Sequence, residues 1–193
     1  MGLFDIFSFS NAISQIGESY SIIGESRHTI ARNVIEKYAN SKKSLDQLAL
    51  ALAYEREGAK YRQEAIKCFE FYFENPKPVP KNPHTKKPYF TQWELHSTLS
   101  TLYEKEYQFD KAIKELEKCI EINKHDVNGA DYTRIADILV KSSSVDVAIA
   151  YLEDIKKKPV YKKIKNAVDY CYSNLEKKKA TGYKYKPRKK KAS

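Results

Sequence analysis

The sequence has few cysteines, few glycines and only short apolar runs. Its three cysteines, Cys68, Cys119 and Cys171, lie far apart, and an odd number suits a reducing compartment better than a disulfide framework. The four histidines do not fall at metal-ligand spacings with one another or with the cysteines, and the six glycines form no phosphate-binding loop. The longest apolar run, residues 48–54, is far shorter than the roughly 20 residues that span a bilayer. We therefore predict no disulfide, metal, cofactor or transmembrane segment.

Signal and catalytic motifs are also missing. Residues 1–10 are apolar but lack the basic start and the small-residue cleavage site of a secretory signal, which predicts a cytoplasmic protein. The sequence contains no recognisable motif for a nucleophile, an acid/base pair or a metal, so we predict that the chain is not an enzyme. A catalytic site assembled from distant residues is the alternative.

Charge is distributed unevenly along the chain. The whole chain has a net charge of +10, but residues 156–193 contain fifteen Lys or Arg against Asp169 and Glu176, a net charge of +13. Residues 1–155 therefore carry a net charge of −3. Because the basicity belongs to the C-terminal end, that end is a candidate anion-binding element.

The middle of the chain repeats one pattern three times. Each copy has a large apolar residue and a small one, then an aromatic or apolar residue, a turn, and a second helix that contains an alanine. The copies are Leu50, Ala51, Tyr54, Gly58, Ala65, Ile66, Phe69 and Tyr72; Leu99, Ser100, Tyr103, Phe109, Ala112, Ile113, Leu116 and Cys119; and Ile135, Ala136, Leu139, Val145, Ala148, Ile149, Leu152 and Ile155. The spacing predicts two helices of about a dozen residues in each copy. The small residues of each pair, such as Ser100 and Ala112, are expected where the two helices cross most closely.

This pattern, which covers residues 44–159, resembles the tetratricopeptide repeat. The alanines of the second helices are 47 residues apart between the first two copies and 36 apart between the last two, against a family period of about 34. Tyr107 and Ser143 stand where the family usually has glycine. The resemblance implies an all-α, right-handed superhelical stack of antiparallel helix pairs, with a groove that receives an extended or helical peptide.

Apolar stripes at helical spacing also precede and follow the three copies. The two preceding stripes are Ile13, Ile16, Tyr20 and Ile23, and then Ile30, Val34, Ile35 and Tyr38; the following stripe is Ile164, Val168, Cys171 and Leu175. We predict a degenerate first repeat and a C-terminal capping helix, because a stack of repeats needs units that cover its ends. The predicted organisation is one repeat domain over residues 1–178 and a disordered basic tail over residues 179–193.

A Pro-rich insertion occupies residues 75–90. It contains five of the seven prolines and four lysines, so it cannot be helical, and it is too long for an ordinary turn between helices. We interpret it as an extended, polyproline-like connection across the surface. The alternative is a ligand segment for an aromatic groove, centred on Pro80 and Pro83.

The first helix of each pair offers an inner stripe that lies about 120° around the helix from its packing residues. The predicted peptide-binding residues are Leu48, Leu52, Glu55, Ser97, Thr101, Glu104, Lys105, Arg134, Asp137 and Lys141, with Thr133 and Val140 on the same stripe. Chaperone-binding tetratricopeptide domains clamp a C-terminal carboxylate with Lys and Asn side chains. At the matching places this chain has Leu48, Leu52 and Thr98, and only Arg134 agrees. We therefore expect an apolar entry to the groove and a protein or peptide partner.

The last fifteen residues interleave basic and aromatic side chains. The predicted nucleic-acid-binding residues are Tyr183, Lys184, Tyr185, Lys186, Arg188, Lys189, Lys190 and Lys191. Basic side chains suit a nucleic-acid backbone and tyrosines suit base stacking, whereas the alternative is a tail that only solubilises. Two functions stay open: an adaptor that binds a protein partner in the groove, and a nucleic-acid- or ribosome-associated factor anchored by the tail. The sequence predicts no particular oligomeric state.

Overall fold

The computed structural model describes residues 10–19 and 25–187, and this part of the chain is built from helices. The α-helices in chain order are α1 (Ser10–Ser19), α2 (Glu25–Tyr38), α3 (Ser44–Glu57), α4 (Arg62–Glu74), α5 (Gln92–Lys105), α6 (Phe109–Ile122), α7 (Ala130–Ser142), α8 (Val145–Lys157) and α9 (Tyr161–Ala180). The predicted all-α class is confirmed. Among the described residues, none of the helices combines the length and the apolar character that a bilayer crossing needs.

The helix pairs follow the repeats in the sequence. The three predicted copies are α3 with α4, α5 with α6, and α7 with α8. Helices α1 and α2 pack together and both pack on α3, as expected of a degenerate first repeat, although Tyr20 and Ile23 lie outside the described residues. Each pair closes over small side chains that are fully buried, namely Ala51 and Ala65, Ser100 and Ala112, and Ala136 and Ala148. In the second pair the Ser100 hydroxyl donates to the Ala112 carbonyl at 2.9 Å, so close packing here also satisfies a buried polar group.

Turn residues end the helices where the sequence predicts it. Helix α4 stops at Glu74 before Asn75 and Pro76, and α8 stops at Lys157 before Lys158 and Pro159, because the residue before a proline is excluded from the helical region. In the first copy the longer turn is taken up by Gly58 and one turn of 3-10 helix, Ala59–Tyr61.

The chain forms two compact units, with the boundary between Leu95 and His96, inside α5. The single repeat domain expected over residues 1–178 stays a prediction. In the second unit, α7, α8 and α9 share one hydrophobic core. The predicted capping stripe of Ile164, Val168, Cys171 and Leu175 is buried in that core, which confirms the capping helix.

The three cysteines are buried as free thiols. Burial raises the pKa of Cys68 to about 11, of Cys119 to about 12 and of Cys171 to about 11. Because the thiolate is the reactive form, these side chains act as small apolar groups at neutral pH.

The Pro-rich insertion is a closed hairpin and not the extended connection that the sequence predicted. Lys81 and Pro88 face each other in an antiparallel bridge, and the Tyr89 N–H donates to the Pro80 carbonyl at 3.0 Å. The side chain of Asn82 closes the turn by accepting from the backbone N–H groups of His84 and Thr85 at 2.8 and 3.1 Å. These hydrogen bonds also disagree with the alternative interpretation, an extended ligand segment for an aromatic groove, because Pro80 and Pro83 belong to a segment that folds back on itself.

The C-terminal boundary also differs from the prediction. Helix α9 continues through Lys179 to Ala180, so the predicted tail does not begin at residue 179. Residues 181–187 follow the helix in the described part of the chain. The predicted tail residues Arg188, Lys189, Lys190 and Lys191 lie outside the described residues.

A polar face on helices α5, α7 and α9

The guanidinium of Arg134, on α7, lies against the predicted inner stripe of α5. It donates to the Thr101 hydroxyl at 2.6 Å, to the Ser97 hydroxyl at 3.2 Å and to the Ser97 carbonyl at 3.4 Å. It also lies 3.6 Å from the carboxylate of Glu104. One planar side chain therefore bridges two turns of the neighbouring helix, which suits the fixed fork of arginine donors.

Lys141 extends the same network by about two turns of α7. Its ammonium lies 2.6 Å from Glu104, whose carboxylate is thus shared between Lys141 and Arg134. Ser97, Thr101 and Glu104 follow i, i+4, i+7 spacing, and Arg134 and Lys141 are seven residues apart, so each helix presents these groups on one face. Five of the ten predicted peptide-binding residues are joined in this network, which we call the Arg134 ladder.

Helix α7 also forms an open cavity with α9. The cavity has a volume of about 450 Å³, with Cys171 and Leu175 among its apolar lining residues and Asp137, Tyr170 and Lys178 among its polar ones. Asp137 is exposed, and Tyr170 is 74% exposed. We call this feature the α7/α9 cavity. It lies in the same unit as the Arg134 ladder, and the two features share α7.

Five cavity residues were not predicted from the sequence: Ala167, Tyr170, Asn174, Lys177 and Lys178. The predicted role of α9 as a cap rests only on its buried stripe. Tyr170 is the residue that could have indicated the cavity. It lies between Val168 and Cys171 and is not on the buried face of α9, so its aromatic ring does not belong to the core.

Two residues that were predicted to line the groove are buried in the structure. Leu48 and Leu52 are 0% and 1% exposed, because α3 packs against α1, α2 and α4 and has neighbours on most sides. An open apolar entry at these residues is therefore ruled out in this structure. Glu55 is half-buried in the first unit, and Lys105 is exposed near the end of α5.

The predicted nucleic-acid-binding residues that the structure describes lie just after α9. Tyr183, Lys184 and Tyr185 line a second cavity, of about 490 Å³, together with Lys179 and the turn between α7 and α8. Lys179 forms an ion pair with Asp146 at 2.9 Å, and the ammonium of Lys178 lies 5.5 Å from the centre of the Tyr183 ring. Lys186 is exposed. The ion pair therefore joins the end of α9 to the start of α8, and the cation–π contact holds Tyr183 against the last turn of α9.

A buried ion pair stands apart from the polar face. His96 Nδ1 lies 2.6 Å from Glu115, and Lys118 lies 2.9 Å from the same carboxylate. Burial raises the pKa of Glu115, but the hydrogen bonds from His96 and Lys118 outweigh it and hold the pKa below its usual value of 4.5. Glu115 is therefore ionised at neutral pH and joins α5 to α6.

No protein family profile matches the sequence, and no curated protein matches it. The chain is similar to the crystal structure of a candidate kinesin light chain from Podosopora anserina with nearly identical TPR-like repeats, at a TM-score of 0.57 and 17% identity over 90% of this chain and 87% of that one. It is also similar to the crystal structure of MamA protein, at a TM-score of 0.49 and 16% identity over 93% and 98%. The likeness to the first of these, together with the helix pairs, shows that the chain has an all-α fold of the tetratricopeptide-like type.

Proposed function

We propose that the chain is a non-enzymatic interaction protein that holds a peptide of a partner protein on the α5, α7 and α9 face of its second unit. The observation that carries this proposal is the α7/α9 cavity, which is open, partly apolar and lined by the exposed ring of Tyr170. A tetratricopeptide-like fold supports a role as a generic protein-interaction scaffold. The cavity supports a particular binding position on that scaffold.

The chemistry of the cavity favours a peptide side chain as its occupant. Its volume of about 450 Å³ lies in the range of ordinary ligand sites, roughly 300 to 1,000 Å³, and its lining includes Cys171 and Leu175. An aliphatic or aromatic side chain of the partner can displace water there, with Tyr170 as the aromatic contact. Asp137 and Lys178 also line the cavity and offer a carboxylate and an ammonium for hydrogen bonds to the peptide.

The Arg134 ladder supports the proposal by fixing the neighbouring surface. Arg134, Glu104 and Lys141 satisfy one another, so their side chains are already ordered before a partner arrives. Preordered side chains cost less conformational entropy on binding than mobile ones. The Thr101 and Ser97 hydroxyls, which accept from Arg134, belong to the same ordered network.

The test is peptide selection on the full-length chain. A random peptide display library is panned on the protein, and the dissociation constants of the selected peptides are measured by fluorescence anisotropy. Tyr170→Ala combined with Asp137→Arg is expected to weaken binding at least about tenfold, a loss of about 1.4 kcal/mol, while the melting temperature stays nearly the same. Val147→Ala, at an exposed site on α8, serves as the matched control. Selected peptides that bind the double variant and the wild type equally would place the interaction elsewhere.

A second candidate function is single-stranded nucleic-acid binding by the segment after α9. The observation that favours it is the cavity of about 490 Å³ that Tyr183 and Tyr185 line beside Lys184. Stacking on an aromatic ring contributes roughly 1 to 3 kcal/mol per base. Tyr183→Ala and Tyr185→Ala should therefore weaken binding of an oligothymidine more than binding of a duplex. If neither substitution changes the affinity for single strands, the segment is not a stacking platform.

A further inference from the structure

The insertion between α4 and α5 is basic and has no acidic counterpart. From Asn75 to Trp93 the sequence contains Lys77, Lys81, Lys86 and Lys87 and no Asp or Glu. Within residues 80–89, which we call the basic hairpin, the last three of these lysines are exposed. The charge is therefore concentrated on one protruding element of the first unit.

The basic hairpin is held on a fixed base. The Tyr72 hydroxyl donates to the Lys77 carbonyl at 2.9 Å, and the Gln92 amide donates to the Tyr72 hydroxyl at 3.2 Å. The ring of Tyr89 packs against α1 so closely that a Cβ added at Gly17 would lie 2.5 Å from Tyr89 Cδ1. Phe90 is buried directly after the hairpin. The lysines are thus carried by an ordered element, which reduces the entropy lost on binding.

Lys86 occupies a backbone conformation that lysine does not favour. Its φ is +59°, in the left-handed region where glycine and asparagine are the usual residues, and its N–H donates to the Asn82 carbonyl at 2.9 Å. The turn itself would be satisfied by glycine. Strained backbone positions are enriched at functional sites, so the φ of Lys86 together with its exposed side chain makes it a candidate for a role outside folding.

We propose that the basic hairpin is a contact element for duplex nucleic acid, in which Lys81, Lys86 and Lys87 neutralise backbone phosphates. The hairpin is closed by a single antiparallel bridge and carries its lysines on exposed positions, and Lys side chains and the Thr85 hydroxyl are typical phosphate ligands. An acidic protein is the less suitable partner, because the exposed residues of the basic hairpin include no Leu, Ile, Val, Met, Phe, Tyr or Trp to anchor a protein interface. This inference does not depend on the peptide site or on the segment after α9.

The first test is the salt dependence of duplex binding. Full-length protein is titrated into a fluorescein-labelled 20-base-pair duplex at several salt concentrations. Because each phosphate contact contributes about −0.9 to the log-log slope, Lys81→Gln, Lys86→Gln and Lys87→Gln together should make the slope less negative by about 2 to 3. The control is the triple variant Lys42→Gln, Lys67→Gln and Lys114→Gln, which removes the same charge from exposed sites elsewhere. The segment after α9 is intact in all three proteins, so its contribution cancels.

The second test separates binding from folding at a single position. Lys86→Gly should leave the melting temperature unchanged or raise it by up to about 3 °C, because glycine accepts the left-handed conformation. The same variant should lose about one phosphate contact and bind the duplex more weakly. If the melting temperature is maintained while the affinity for duplex falls, the loss of binding does not result from a damaged fold.

Equal salt slopes for the hairpin triple variant and the control triple variant would overturn the proposal. So would a Lys86→Gly protein that binds duplex as tightly as the wild type. If the hairpin variant keeps duplex binding but loses binding to a polyglutamate peptide, the hairpin serves an acidic protein and the nucleic-acid assignment is wrong.

Discussion

Helices α3 and α7 hold the same position in their repeats, yet one is enclosed and the other keeps an open side. Helix α3 buries every residue from Leu48 to Ala53. Helix α7 buries its core side but exposes Asp137 and leaves Arg134 half-exposed. The inner stripe of a repeat helix is therefore a candidate binding surface only where the neighbouring helices do not cover it.

The largest expected effect on stability comes from placing a charge in the enclosed helix α3. Leu52→Glu places an unpaired carboxylate in a fully buried position and should lower the free energy of unfolding by about 3 to 5 kcal/mol. Thr101→Glu, at the half-exposed equivalent on α5, should cost much less. Urea denaturation of the two variants measures the difference. Similar losses at both positions would mean that the two stripes are equally covered.

The next effect compares two similar ion networks, one in each unit. Glu115 is bonded by buried His96, and Glu57 is bonded by His28 at 2.8 Å, where the imidazole is partly exposed. Glu115→Gln should cost about 1.5 to 3 kcal/mol at pH 7, the range for hydrogen bonds to charged groups, and Glu57→Gln should cost less. Because hydrogen bonds hold the pKa of Glu115 below 4.5, its contribution to stability is fully present above pH 4.5 and lost as the pH falls below that value.

Urea denaturation at pH 7 and at pH 3 checks both statements. The difference between wild type and Glu115→Gln should shrink at the lower pH. A difference that grows on acidification would contradict the assigned direction of the pKa shift.

A comparable effect concerns the close crossing of α5 and α6. Ala112→Leu adds volume beside fully buried Ser100 and should lower the free energy of unfolding by about 1 to 3 kcal/mol through overpacking. Lys114→Leu adds an apolar side chain at an exposed site of α6 and is the control. If Ala112→Leu is neutral in thermal denaturation, the two helices do not cross at these residues.

The smallest effect compares the turns inside two helix pairs. Gly58, after α3, has a φ of +92°, and Tyr107, after α5, has a φ of +60°. Gly58→Ala should lower and Tyr107→Gly should raise stability, each by about 0.5 to 1 kcal/mol, because only glycine adopts these angles without strain. Differential scanning calorimetry reads both shifts. Tyr107→Gly also removes the edge contact between Tyr107 and Phe109, whose ring centres are 5.9 Å apart. Its gain in stability should therefore lie toward the lower end of that range.

The sequence was sufficient for the helix pairs and for the stripe on α5, because both follow from the spacing of residues within one or two helices. Ser97, Thr101 and Glu104 needed only the turn angle of a helix. The burial of Leu48 and Leu52 could not be predicted in the same way, since it depends on how α1 packs against α3. The closed hairpin was not predicted, because its turn depends on hydrogen bonds to the side chain of Asn82. Proline content alone does not predict such hydrogen bonds.

The central claim is that the side of α7 toward α9 is open and receives a peptide, whereas the matching stripe of α3 is closed. Maleimide labelling of single added cysteines tests it directly, since the native thiols are buried and their pKa values are raised. Asp137→Cys should label rapidly in the folded protein and be protected by a selected peptide, and Leu52→Cys should label only on unfolding. Equal rapid labelling at both positions, or no protection at position 137 by any selected peptide, would contradict the account.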